Sequence, residues 1–151
     1  MMLKTQPALL RRLCQTDRRD QVSNGKPTHG TFCWNELMSR DTAAAQKFYT
    51  ELLGWKAVDS GMPGMKYTLF KVAGKEAGGL MAMPPDVPTE VPSHWMAYIA
   101  VDDVDALIKK VGKLGGELLH GPQDVPHVGR FCIVRDPSGG VVSLITMAHT
   151  E

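Results

Sequence analysis

The feature that most constrains this chain is that its last two-thirds read as two copies of one pattern. In each copy a strand ends at an acidic residue, a helix follows, and strands rich in glycine and apolar residues come next. A slide of about sixty residues superposes five pairs: Asp41 on Asp103, Ala44 on Ala106, Lys47 on Lys109, Leu52 on Leu114 and Gly54 on Gly116. A slightly larger slide superposes Tyr67 on Phe131, Gly79 on Ser143 and Met83 on Met147. Two units are too few for a solenoid, so this internal repeat predicts a paired, pseudo-symmetric domain with its working site between the halves.

The composition is that of a globular protein, with 43% hydrophobic and 22% charged residues in a chain of 151. The net charge of +1 gives no reason to expect a nucleic-acid partner. No apolar run approaches the ~20 residues of a membrane span, so no membrane association is expected. The three cysteines (Cys14, Cys33 and Cys132) show no paired spacing, which favours a reducing compartment and a cytoplasmic location.

The first 28 residues lie outside the repeat and form a flexible or helical N-terminal arm in our interpretation. They are rich in Lys and Arg, and Gly25 to Thr28 have the composition of a linker. One stripe of a short helix, which could dock on a partner subunit, would contain Leu3, Leu9, Leu10 and Leu13. The remaining residues, 29–151, are expected to form one domain with modules at about 30–84 and 93–148.

Apolar periodicity and turn residues predict strands at 31–38, 66–72, 78–83, 94–101, 130–135 and 141–147. Two helices are predicted to begin after the N-caps Asp41 and Asp103 and to end at Gly54 and at Gly115-Gly116. The segment from His120 to Gly129 contains two prolines and is predicted to be a loop.

Four motifs in this order carry a resemblance to a known family: KFYTELLGW, YIAVDDVDAL, VGRF and DPSGGVVSLI. Together they resemble the vicinal oxygen chelate superfamily, which includes glyoxalase I, extradiol dioxygenases and bleomycin-resistance proteins. The resemblance covers about residues 30–147. It implies an α+β fold in which two βαβββ modules pair into a curled mixed sheet around a cup, with the helices on the outside.

Strand alternation indicates which side chains would line that cup. Leu37 and its repeat mate Ile99 should face the helices, because side chains two residues apart share a face. The opposite face would then present Trp34, Glu36 and Met38 from the first half and Met96, Tyr98 and Ala100 from the second. Together with Met81 and Met83, these aromatic and thioether groups predict an adaptable apolar pocket.

The resemblance implies metal ligands at four points of the cup, which fall here at Trp34, Gly79, Met96 and Ser143. None of these is a good ligand for a divalent ion that prefers imidazole and carboxylate. No cofactor is therefore expected. The alternative is a divalent metal, because a shift of two residues would bring Glu36 and His94 into a partial site.

Glu36 needs a separate explanation, because a buried carboxylate is costly unless it is paired or hydrogen-bonded. It is our candidate catalytic residue, either as a pocket base with a raised pKa or as a substrate anchor. The alternative is a carboxylate at the rim, solvated or paired with Arg130. Arg130 itself could clamp an anion or form a surface salt bridge. The complete set of candidate ligand-binding residues is Trp34, Met38, Met81, Met83, Met96, Tyr98, Ser143 and Arg130.

Three functional hypotheses follow from these residues and the resemblance. The first is a bleomycin-resistance-like protein that binds a small apolar or aromatic molecule in a metal-free cup. The second is a metal-dependent lyase or dioxygenase, and the third is a metal-free acid–base enzyme that uses Glu36. Whether the chain is an enzyme stays open at this point, and kinship allows a homodimer.

Overall fold

The computed structural model describes residues 22–23 and 26–148. In this part of the chain the helices are α1 (Thr42–Leu53) and α2 (Val104–Val111), and a 3-10 turn (Gly112–Leu114) follows α2. The strands are β1 (Val22–Ser23), β2 (Lys26–Pro27), β3 (Phe32–Ser39), β4 (Lys56–Asp59), β5 (Tyr67–Val72), β6 (Lys75–Ala82), β7 (His94–Ala100), β8 (Glu117–Val125), β9 (Gly129–Arg135) and β10 (Val141–Met147).

Eight strands form one mixed sheet in the order β4-β5-β6-β3-β7-β10-β9-β8. The first module contributes β3, α1, β4, β5 and β6, and the second contributes β7, α2, β8, β9 and β10. The modules meet where β3 and β7 pair antiparallel, and each of these strands has a parallel neighbour from its own module. The sheet is curled without being closed, which confirms the predicted α+β fold class.

Both helices begin as the sequence predicted. The side-chain oxygen Oδ1 of Asp41 accepts a hydrogen bond from the Ala44 amide (2.9 Å), and that of Asp103 accepts one from the Ala106 amide (3.0 Å). Helix α1 ends at Gly54, whose φ of 68° is the left-handed conformation that glycine adopts without strain.

The helices cover the convex face of the sheet. In the first module Leu37 is buried with Phe70 and Leu80, and α1 contributes Ala45 and Tyr49 to the same cluster. In the second module Ile99 packs against a cluster that includes Val104 of α2. Leu37 and Ile99 therefore face the helices as predicted, and the next residues along each strand point into the concave face.

The predicted loop from His120 to Gly129 is wrong, because most of it belongs to strand β8. Strand β8 lies at the edge of the sheet, where a proline costs no ladder hydrogen bond. Its register on β9 shifts on both sides of His120, and Pro122 falls within the second shift. The short strand β4 was also absent from the sequence prediction, since its four residues show no clear alternation.

Most of the N-terminal arm, including the predicted leucine stripe, lies outside the described residues. The part that is described contains β1 and β2, which pair antiparallel. Over the residues that the structure describes, no helix combines the length and the apolar character needed to cross a bilayer.

Candidate functional site

The concave face of the sheet is lined by methionines. Met38, Met83 and Met96 are buried together, and Met81 and Tyr98 pack against them, so four predicted pocket methionines do meet. The segment between the modules, residues 84–93, supplies Val87 and Val91 to the same cluster. We call this segment the connector; it closes the first-module side of the concave face.

Arg40 holds the connector in place. Its Nε donates a hydrogen bond to the carbonyl of Val91 (3.0 Å), and its Nη2 donates one to the carbonyl of Pro88 (2.6 Å). The amide of Arg40 also donates to the Ser93 hydroxyl (2.9 Å). One side chain at the end of β3 therefore fixes both the middle and the end of the connector.

Glu36 lies at the centre of the concave face and is only 6% exposed. It stands opposite Met96 on β7 and beside Gly79 on β6. The Tyr98 hydroxyl donates a hydrogen bond of 2.6 Å to Oε1 of Glu36. The prediction that Glu36 shares a face with Tyr98 is confirmed, and the alternative of a solvated carboxylate at the rim does not agree with its burial.

A second tyrosine, Tyr67 of β5, extends this network. Nε1 of Trp34 donates a hydrogen bond to the Tyr67 hydroxyl (2.8 Å), and a hydrogen bond from the Tyr67 hydroxyl lowers the pKa of Glu36. The Tyr67 hydroxyl reaches this place because residue 79 is glycine: a Cβ built on Gly79 would overlap the phenol oxygen. Trp34, Tyr67, Glu36 and Tyr98 therefore form one connected polar group inside an apolar lining.

Burial determines the electrostatics of this group. Loss of solvation raises the pKa of Glu36, and the hydrogen bonds from Tyr98 and Tyr67 oppose this effect only in part. Burial and the nearby Glu36 carboxylate raise the pKa of both phenols well above the ordinary value. The two tyrosines therefore stay protonated and act as donors, while Glu36 is the group whose charge can change.

Ser143 is fully buried beside Tyr98 in the register of β7 and β10. Its hydroxyl lowers the pKa of Tyr98, so it lies near the phenol, but it makes no well-formed hydrogen bond with any residue that the structure describes. Buried hydroxyls without a partner are uncommon in folded proteins. Ser143 therefore adds a polar group to the mostly apolar lining of the concave face.

The residues present do not fit a divalent metal. Across residues 22–23 and 26–148, no three His, Cys, Asp or Glu side chains lie close enough to hold an ion together. At the four points that the resemblance implied, Trp34, Met96 and Ser143 offer poor ligands, and the space next to Gly79 is filled by Tyr67.

Glu36 and His94, the alternative metal pair, each have another contact. His94 stands opposite Met38, whereas Glu36 stands opposite Met96. The Nδ1 atom of His94 lies 2.8 Å from the carbonyl of Pro92, and Glu36 is engaged by Tyr98. The chemistry available to Glu36 is therefore that of a hydrogen-bonded carboxyl group.

Arg130 is a candidate that the structure does not bring to Glu36. Its guanidinium forms a two-point contact with Asp105 of α2 (2.9 Å and 3.1 Å) and a third contact with Asp124 of β8 (2.9 Å). Arg130 therefore forms a surface salt bridge, which is one of the two interpretations that the sequence allowed.

Three other side chains on the concave face are absent from the predicted set of site residues. Tyr67 was used only as a repeat marker, although its hydroxyl packs against Gly79, which lies beside Glu36 in the sheet. His120 and Gln123 were placed on a loop, whereas β8 turns them toward the same face as Ile133 and Phe131, their partners on β9. No local signal in the sequence marks them, because the two prolines of the segment favour a loop unless the strand is known to lie at the sheet edge.

Two surface depressions of about 230 Å³ and 210 Å³ lie outside the group formed by Trp34, Tyr67, Glu36 and Tyr98. The first is lined by residues of β4 and β5 that include Lys56 and Lys71, and the second by residues near Lys26 and Met147. Neither is lined by Glu36. We place the candidate site on the concave face because a buried acid, its donors and the methionines converge there.

Comparison with known proteins agrees with this geometry. The model of the "Glyoxalase/Bleomycin resistance protein/Dioxygenase superfamily" matches residues 31–144, which include all eight strands of the sheet except the end of β10. The chain belongs to this superfamily.

The relatives of this glyoxalase-superfamily chain include proteins that are more than one-third identical to it. CFP32 of Mycobacterium tuberculosis, a protein named as a glyoxylase, is 39% identical over 129 residues, which cover 84% of this chain and 48% of CFP32. DnrV of Streptomyces peucetius, named for anthracycline biosynthesis, is 35% identical over 127 residues, covering 76% of this chain and 46% of DnrV. The chain thus spans about half the length of these relatives.

Among solved structures, the methylmalonyl-CoA epimerase of Mycobacterium tuberculosis shares the fold with a TM-score of 0.59. It is 17% identical, and the match covers 88% of this chain and 97% of the epimerase. An epimerase in complex with methylmalonyl-CoA matches with a TM-score of 0.53 and 18% identity, over 82% of this chain and 99% of that one. At these identities the likeness shows the fold alone.

Proposed function

We propose that this chain binds a small apolar or aromatic molecule on its concave face, without a metal ion and with Glu36 as the polar anchor. One observation carries the proposal: among the Asp, Glu, His, Lys and Arg side chains that the structure describes, Glu36 is the buried one, and it is held by Tyr98 inside a methionine lining. A buried carboxyl group of this kind has a high cost in stability, which binding of a ligand would explain.

The lining supports the class of ligand. Methionine side chains are flexible and polarizable, so they can rearrange around an apolar guest, and Trp34, Tyr98 and Phe131 offer ring faces. One relative, DnrV, is named for anthracycline biosynthesis, and anthracyclines are built on planar aromatic rings. A flat aromatic molecule with few polar groups is therefore the ligand class that we propose.

Titration with 2-naphthol by calorimetry tests this proposal, because its hydroxyl group can donate to Glu36 while its rings contact the apolar lining. We expect saturable binding to the wild type and a loss of about tenfold or more in E36Q, since hydrogen bonds to a charged acceptor are the stronger ones. The matched control is E51Q, which removes a carboxylate from exposed α1 and should bind as the wild type does. Absence of binding, or equal affinity in E36Q, would contradict the proposal.

The raised pKa of Glu36 favours a second candidate function, acid–base catalysis without a metal. A base at this position would remove a proton from a carbon next to a carbonyl group and return one from solvent. Incubation with 2-acetylnaphthalene in D₂O, followed by NMR of the methyl protons, tests this function. Exchange that is catalysed by the wild type and absent in E36Q would favour the enzyme; equal exchange rates would eliminate Glu36 as a base.

A metal-dependent lyase or dioxygenase is the competing proposal. Metal analysis of freshly purified protein separates it from ours: stoichiometric Zn, Ni or Fe that is lost in E36Q would overturn the metal-free cup.

Self-association as a homodimer is a separate expectation, which sedimentation of the full chain tests directly.

A further inference from the structure

A row of side chains crosses the second module from the centre of the concave face to the sheet edge. Strand register places Tyr98 beside Ser143, Ser143 beside Ile133 and Ile133 beside His120, on four successive strands. Because facing residues of neighbouring strands share a face, all four belong to the concave side. The row begins at the phenol that binds Glu36 and ends at an imidazole.

An aromatic ring bridges the two ends of this row. The ring of Phe131 lies 6.2 Å from that of Tyr98 and 5.9 Å from that of His120, measured between centroids. The His120 ring is tilted by 33° and the Tyr98 ring by 54° relative to Phe131. The phenyl ring of Phe131 therefore lies between the polar group formed by Tyr98 and Glu36 and the imidazole of His120.

His120 is held in a defined orientation. Its Nε2 lies 2.7 Å from Oε1 of Gln123, a distance that fits an N–H donor on Nε2. In that tautomer the Nδ1 atom is the acceptor of the ring. The imidazole can thus accept a hydrogen bond from a hydroxyl group that lies over Phe131.

This side of the concave face is also the accessible one. The connector covers Met38 of β3 and Met96 of β7, and both are less than 10% exposed. By contrast, Phe131 and Ile133 are half-buried and His120 is exposed. A molecule approaching Glu36 would therefore lie along the row, over Phe131.

We propose that the site selects a planar aromatic molecule with a polar group at each end, one bound at Glu36 and Tyr98 and the other at His120. This inference rests on the proposed function and adds the second polar contact to it. His120 is then a specificity-determining residue, and Gln123 positions its ring.

Two probes of equal ring size test the second contact. The first is 2-naphthol, which carries one hydroxyl group, and the second is 2,6-dihydroxynaphthalene, which carries one at each end. We expect the wild type to bind the second probe about tenfold more tightly, as one additional hydrogen bond allows. In H120L this preference should disappear, while affinity for 2-naphthol should be retained.

The control is H127N, which removes an exposed histidine from the turn after β8. Asparagine tolerates the positive φ of 63° at this position, so the backbone should be undisturbed. This variant should keep the full preference for the dihydroxy probe. Equal affinity of the wild type for both probes, or a preference that persists in H120L, would overturn the inference and leave the proposed function standing. Failure of the wild type to bind either probe would overturn both.

Discussion

The Tyr98 hydroxyl donates a 2.6 Å hydrogen bond to the buried Glu36 carboxylate, across the strand pair that joins the two modules. Glu36 comes from the first module and Tyr98 from the second, so the polar centre of the concave face exists only when both modules are folded together.

Removal of this donor should destabilise the fold. In Y98F the buried Oε1 atom of Glu36 loses the hydroxyl that donates to it, and water cannot easily replace that donor. We therefore expect the free energy of unfolding at neutral pH to fall by about 1–3 kcal/mol. Urea denaturation measures the change. The matched control is Y49F, which removes a hydroxyl that accepts from Trp95 on the outer face, where water can replace it. An equal loss in both variants would show that the Glu36 contact has no special role.

The stability of the fold should depend on pH through Glu36. Burial raises its folded pKa above the unfolded value of about 4.5, so below that value the carboxyl group is protonated in both states and its contribution is fully present. As the pH rises above the unfolded value and through the folded pKa, the carboxyl group ionises in the unfolded state before it does so in the folded state, and this stability is lost.

E36Q cannot ionise and supplies the reference for this measurement. The free energy of unfolding of the wild type minus that of E36Q should therefore decrease as the pH rises above about 4.5. A difference that stays constant over this range would be inconsistent with a raised pKa.

Gly79 should not tolerate a side chain. In G79A the new methyl group would occupy the position of the Tyr67 hydroxyl, and displacement of this buried ring should cost about 1–3 kcal/mol of stability. G112A is the control, because its backbone is helical and no heavy atom lies within 4 Å of the added Cβ. Thermal unfolding of both variants provides the comparison; similar melting temperatures would contradict the packing described here.

Arg40 should control the mobility of the connector. In R40Q the hydrogen bonds to the carbonyls of Val91 and Pro88 cannot all be formed, so amide protons of residues 84–93 should exchange faster with solvent. Hydrogen–deuterium exchange followed by mass spectrometry measures this change. K66Q removes a positive charge from a site without these contacts and should leave exchange in the connector unchanged.

Local signals in the sequence were sufficient for much of the fold. Asp41 and Asp103 cap their helices because capping depends on neighbouring residues alone, and strand alternation was sufficient to place Glu36 and Tyr98 on one face. The segment around Pro122 was missed because the sequence does not show which strand lies at the sheet edge, the one place where proline is compatible with pairing.

The parts of the site that depend on distant pairs could not be predicted. Arg130 had several carboxylates as candidate partners, and only the folded chain places it between Asp105 and Asp124. The fit of Tyr67 into the space beside Gly79 likewise depends on how β5 and β6 pair, which neither residue reveals alone.

The fit of Tyr67 beside Gly79 also limits how this protein could change. A histidine or glutamate introduced at position 79 would meet the phenol before it could reach an ion, so Tyr67 would have to be replaced at the same time. Conversion of this cup into a metalloenzyme therefore needs at least two substitutions, and the change at position 79 made alone would disrupt the packing of Tyr67.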